Sequence, residues 1–203
     1  MSQRVNIYVD GLNFYYGLKH NRWKKYYWLD IVKFFEQFIR DHQDLGLIYY
    51  CTAVQKSPGK KDRQDLFFSA NKTNPKFKLV YGKFLEKTVY FGGKPYKTFE
   101  EKQTDVNIAV EMIRNVVQNK CDASILVSAD SDLIPPINLI RELDPNHKIY
   151  TFFPPKRHSA DLKIHSDGII NLGRYETRFK KAILPKTVVL SNGHKIKRPS
   201  SWK

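Results

Sequence analysis

Four aspartates stand where a chain can do chemistry. Asp130 and Asp132 lie one residue apart, directly after a short apolar run at 124–128. Asp10 ends another apolar run, in which Val5, Ile7 and Val9 alternate. Asp105 opens a stretch in which Val106, Ala109, Val110, Ile113 and Val117 recur at helical spacing. Each could merely cap a helix. Capping accounts for one acid per junction, however, and not for two. Carboxylates held close together repel one another or take up protons unless a cation sits between them. Oxygen ligands without a His or Cys cluster favour Mg²⁺ or Mn²⁺ over Zn²⁺. Such a cation can polarise a phosphate and lower the pKa of an attacking water.

The elements around these acids alternate between strand and helix. That pattern predicts a largely parallel sheet with helices on both faces. The run at 124–128 reads as a strand buried on both faces. Leu133, Ile137, Ile140 and Leu143 follow as a helix, with Pro135 and Pro136 in its first turn, where a missing N–H costs little. Asp130, Asp132 and Asp10 then lie at the carboxyl ends of strands, the edge where open α/β sheets bind ligands. Asp105 starts a helix running opposite to the next strand, so its amino end reaches the same edge.

Elsewhere the spacing predicts a helix from Asp30 to about Asp44, a loop at 56–61 and a helix from Asp62 to Asn71. A strand at 77–84 and a separate hairpin at 89–99, turning at Gly92-Gly93, come next. Further strands are expected at 148–153 and 169–172, with a weak helix around Leu162 between them. We divide the chain into a catalytic-type domain, 1–173, and a basic extension, 174–203. The extension should form a hairpin on Asn192-Gly193, able to add to the core sheet or to pair with a second copy as a homodimer.

The 203 residues carry a net charge of +15, from 35 Lys and Arg against 20 Asp and Glu. A bias that large suits a polyanionic partner. Arg22, Trp23, Lys24 and Lys25 combine cations with flat rings, as single-stranded nucleic acid requires, although the rings could equally pack inward. Lys94 and Lys97 on the expected hairpin, with Lys156 and Arg157 after Pro154-Pro155, complete the candidate nucleic-acid contacts. Two cysteines without metal-ligand spacing suggest a reduced, cytoplasmic protein. No apolar run is long enough for a membrane span, so no membrane partner is expected.

Three separated stretches carry a resemblance. They are Val-Asp-Gly-Leu-Asn-Phe-Tyr at 9–15, Glu-Lys-Gln-Thr-Asp-Val-Asn at 101–107 and Val-Ser-Ala-Asp-Ser-Asp-Leu at 127–133. Together with the residues at 152–155 and 166–170, they resemble an NYN domain of the LabA-like branch, within the PIN-like nuclease superfamily. The resemblance implies a Rossmann-like three-layer α/β/α sandwich with a mostly parallel central sheet, and metal-ligand and catalytic roles for Asp10, Asp105, Asp130 and Asp132, with Asn13 beside them. Gln103 departs from the pattern, where Gly or Ser is usual. Ser128 and Thr104 could orient carboxylates or waters. Lys102 could neutralise charge on a phosphate.

The expected function is therefore a metal-dependent phosphodiesterase, an endoribonuclease cutting single-stranded or structured RNA, with DNA left open. The alternative is a binding module of the same fold with little turnover. A dinucleotide-dependent dehydrogenase is disfavoured, because no Gly-x-Gly-x-x-Gly follows the first strand.

Overall fold

The alternation of Val5, Ile7 and Val9 with Tyr8 produces a strand that is apolar on both faces. In the computed structural model, which describes residues 2–202, it becomes β1, Gln3–Asp10, at the middle of a seven-stranded sheet. β1 pairs in parallel with β2 (Gln43–Ala53) on one side and β5 (Ala123–Val127) on the other. β3 (Phe77–Phe91) lies parallel to β2 through its first half. β6 (Lys148–Phe153) and β7 (Gly168–Asn171) continue in parallel beyond β5. Only β4 (Lys94–Lys102), at the edge, is antiparallel.

One face of the sheet is covered by α1 (Gly11–His20), α2 (Ile31–Glu36), α3 (Pro58–Asn71) and α7 (Glu176–Lys181). Its core is aromatic, with Phe14, Phe34, Phe35, Phe67 and Phe179 packed beneath Val5, Ile7 and Val9. The other face carries α4 (Thr104–Val117), α5 (Ile134–Leu143) and α6 (Ala160–Ile164). There Ile108, Met112, Ile137, Ile140 and Leu162 close over Tyr8 and Leu126. Alternate residues of β1 thus serve the two layers, as a period of two requires.

Three expectations need correction. The helix after Asp30 stops at Glu36, well short of Asp44. Phe38 continues the apolar run but leaves the helix to pack against Phe152 and Tyr175, and β2 already begins at Gln43. The supposed loop at 56–61 is largely the first turn of α3, with Pro58 at the position where its missing N–H is harmless. The strand at 77–84 and the hairpin at 89–99 are one long arm. β3 runs past the sheet and pairs only with β4 from Lys83 opposite Lys102 out to Phe91 opposite Lys94. Gly92 and Gly93 turn it at φ +56° and +74°, both in the left-handed region that glycine tolerates.

The basic extension does not join the seven-stranded sheet. β8 (Thr187–Val189) and β9 (Lys195–Lys197) make a separate two-stranded hairpin. The extension is nonetheless seated in the aromatic layer. Phe179, Ala182, Leu184 and Ile196 are buried there, and Trp28 Nε1 donates to the carbonyl of Pro185 at 2.8 Å. Lys203 of this tail lies outside the described residues. Cys51 and Cys121 are buried free thiols. Among the described residues no helix is long and apolar enough to cross a membrane.

Candidate functional site

Asp10 is the last residue of β1 and the cap of α1. Its Oδ1 accepts from the Asn13 backbone N–H at 2.9 Å, and its Oδ2 accepts from the Ser128 hydroxyl at 2.9 Å. Gly11 lets α1 start directly against β2: a Cβ there would stand 2.6 Å from the Tyr50 ring and 2.9 Å from the Cys51 carbonyl. Asp10 is therefore held deep, only 5% exposed. Burial lifts its carboxyl from the ordinary 3.8 to about 7. The two hydrogen bonds oppose that rise, while the charges of Asp105 and Glu101 add to it.

Ser128 ends the neighbouring strand and ties the two junctions together. Its hydroxyl also accepts from the Asp130 backbone N–H at 3.1 Å. Asp130 caps the short turn Ser131–Leu133, accepting from the Asp132 N–H at 3.1 Å. Asp105 lies in the first turn of α4, half-buried. Burial raises its pKa, and Asp130 and Asp132 raise it further. Asp10, Asp105, Asp130 and Asp132 are thus electrostatic neighbours at the carboxyl edge of the sheet, although they come from three distant stretches of chain.

A fifth acid stands with them, and sequence reasoning missed it. Glu101, near the end of β4, is raised by burial and then by Asp105, and it accepts from the Thr104 hydroxyl. The signal was present in the Glu-Lys-Gln-Thr-Asp stretch, but the pairing of β4 with β3 that brings Glu101 to this edge is a tertiary fact. Thr104 therefore braces Glu101. The Lys102 ammonium instead bonds Glu100 Oε1 at 2.6 Å.

Among the described residues, none of these five acids is in an ion pair with a lysine, arginine or histidine. The Asn13 side-chain oxygen beside them is buried without a partner. Concentrated, uncompensated oxygen donors of this kind match a hard divalent cation. As they stand, no three acidic, His or Cys side chains among the described residues are gathered closely enough to hold one. Binding would have to draw the carboxylates inward.

The candidate nucleic-acid residues are spread over several elements and do not form one patch at this edge. Trp23 packs edge-on against Phe179 at 5.1 Å, and Lys25 pairs with Glu176 at 3.0 Å. Arg22 and Lys24 are exposed. Lys94 and Lys97 are out on the arm, where Lys97 meets Glu86 at 2.7 Å. Lys156 and Arg157 follow β6, at the same edge as the acids.

Comparison with known proteins agrees with this architecture. A crystal structure of a protein of unknown function from Vibrio parahaemolyticus superposes with a TM-score of 0.55 at 18% identity, covering 83% of this chain and 92% of that one. Among curated proteins, 6-hydroxy-3-succinoylpyridine 3-monooxygenase HspA of Pseudomonas putida is 26% identical over 175 residues. The match takes in 68% of this chain and 55% of the relative, so the chain spans about half the length of that protein. A family model, the NYN domain, matches residues 4–173 and so includes all five acids. The chain belongs to the NYN domain family.

Proposed function

We propose that this protein is a metal-dependent phosphodiesterase, an endoribonuclease of PIN-like type that uses Mg²⁺ or Mn²⁺. NYN domain proteins are generally nuclease-type hydrolases and usually use a divalent metal. The observation that carries the reading is the uncompensated acid cluster, with Asp10 held near neutral pKa by burial and by its neighbours. Asp10, Asp105, Asp130 and Asp132 would hold the cation, with Glu101 beside them. The cation supplies counter-charge to the carboxylates and Lewis acidity at the scissile phosphate. Ser128 fixes the orientation of Asp10 and of the Asp130 backbone together. Asn13, with a free carbonyl oxygen, can accept a hydrogen bond from an incoming water and aim it. The basic surface collects the strand and presents it to the acidic edge.

The test is incubation of labelled RNA and single-stranded DNA with the protein, in Mg²⁺, Mn²⁺ or chelator. Cleavage should require the metal and vanish in Asp10→Asn and Asp130→Asn, while RNA binding survives. A second reading, an RNA-binding module with little turnover, draws on the absence of a ready-made cage among the described residues. Tight, salt-sensitive binding without cleavage in any metal would favour it.

A further inference from the structure

Directly beside Asp10, the aromatic layer opens into a cleft of about 320 Å³. Gly11 and Leu12, the next residues after Asp10, form part of its wall. That volume lies at the lower end of the roughly 300–1,000 Å³ typical of small-ligand pockets. Its floor is apolar and its rim is cationic. Tyr15 and Tyr27 meet at 5.0 Å between ring centroids, and Trp202 stands edge-on to Tyr27 at 5.7 Å. Lys24, Lys60 and Arg63 also line the cleft, and the lining includes no Asp or Glu. Among the described residues, none of these three cations is in an ion pair. Three rings around an apolar floor, with unneutralised cations at the mouth, match a flat heterocycle carrying an anion.

Trp202 comes from the basic extension, beyond the 4–173 stretch shared with the family. The extension is anchored so that this ring reaches the cleft: Arg198 bonds the Trp202 carbonyl, and Trp202 packs on buried Trp28 at 6.3 Å. The wall thus draws on a residue outside the stretch that the family model matches.

We propose that the cleft is a nucleotide subsite: it takes one base of the substrate strand among Tyr15, Tyr27 and Trp202, and its phosphate against Lys24, Lys60 and Arg63. The inference rests on the phosphodiesterase reading for the identity of the strand, but the subsite binds independently of turnover. It would seat one nucleotide beside the acids and so set where along the strand the cut falls.

The test uses the full chain in chelator, so that no cleavage intervenes. Binding of UMP, of AMP, of ribose 5-phosphate and of a uridine hexamer is followed by tryptophan fluorescence and by calorimetry. The hexamer should bind saturably and displace UMP or AMP, while ribose 5-phosphate binds at least about tenfold more weakly than UMP, because it lacks the stacking base. Tyr27→Leu should weaken the hexamer about tenfold. Lys60→Glu with Arg63→Glu, at exposed Lys60 and half-buried Arg63 outside the buried core of α3, should weaken it at least as much. Asp130→Asn should leave binding intact. Hexamer affinity unchanged in both cleft variants would overturn the subsite, as would equal binding of ribose 5-phosphate and UMP. Mononucleotide binding that the hexamer cannot displace would make the occupant a free nucleotide and overturn the strand assignment. If the cleft variants still cut RNA at the wild-type rate and positions, the subsite fails while the nuclease stands. If the hexamer binds in the cleft but no metal supports cleavage, the nuclease reading fails and the subsite stands.

Discussion

Asp10 carries two roles that pull in opposite directions. As a cap it satisfies the first turn of α1, which stabilises the fold. As a buried carboxylate facing Asp105 and Glu101, it costs stability once ionised. In the unfolded chain it loses its proton near 3.8, and in the folded chain only near 7. Between those values the folded form holds a proton that the unfolded form has released. Stability therefore falls as pH rises through that window and levels off above it. At about 1.4 kcal/mol per pKa unit, the penalty at neutral pH is on the order of 4 kcal/mol. Asn caps a helix as well as Asp does and carries no charge. In chelator at about pH 8, Asp10→Asn should thus be more stable than wild type by up to about 4 kcal/mol, and the two should converge near pH 4. Denaturant unfolding across that range checks it. Added Mg²⁺ should recover stability in the wild type and not in the variant. A variant that melts earlier than wild type at pH 8 would show that the charge is already compensated in the fold.

At the scale of elements, the turn from β4 into α4 sets where Glu101 and Asp105 stand. Gln103 occupies it at φ +77°, a conformation that costs a side-chain-bearing residue about 1 kcal/mol. The sequence already marks this position, since Gln replaces the usual small residue. Gln103→Gly should raise stability by about 1 kcal/mol with activity retained, measured by denaturant unfolding and cleavage rate. Gly82 on β3 faces the same turn. A Cβ there would lie 2.7 Å from both the Lys102 carbonyl and the Thr104 hydroxyl. Gly82→Ala should cost about 1–3 kcal/mol and lower cleavage by shifting both acids, whereas Gly92→Ala, with nothing near its Cβ, should spare cleavage. These cases show what was legible. Asp10 and Asp130 could be placed from the sequence because each ends an apolar run buried on both faces, and neighbouring parallel strands share an edge. Asp105 followed from the direction of its helix. Glu101 could not be placed, because its position depends on the register of an arm that the letters divide into two pieces. The early end of α2 was hidden for a related reason: Phe38 is apolar for the sake of Phe152 and Tyr175, not for the helix.

Over the whole molecule, a +15 surface surrounds a small acidic edge. On the proposed reading such a surface attracts nucleic acid at long range, and the affinity should fall steeply with salt. The β3–β4 arm is the element most able to extend that grip. Its tip is bare, with Tyr90 and Phe91 exposed at 75% and 79%, and it carries Lys94 and Lys97 away from the core. Such exposed rings add nothing to the core and offer an apolar surface for a contact outside the chain. Deleting 88–97 and closing Lys87 to Thr98 with an Asn-Gly turn removes both lysines and both rings. The melting temperature should hardly change, because among the described residues the only ion pair lost is the surface pair of Lys97 with Glu86. RNA binding should weaken. Each lysine that meets a phosphate of a single strand contributes about 0.7 to the slope of log affinity against log salt, so the slope should flatten by up to about 1.4. A titration series in salt, run in chelator with the wild type and the shortened arm, gives both slopes. Equal slopes with equal affinity would place the strand elsewhere, on the side of Lys24 and Lys156, and leave the arm free for a protein surface.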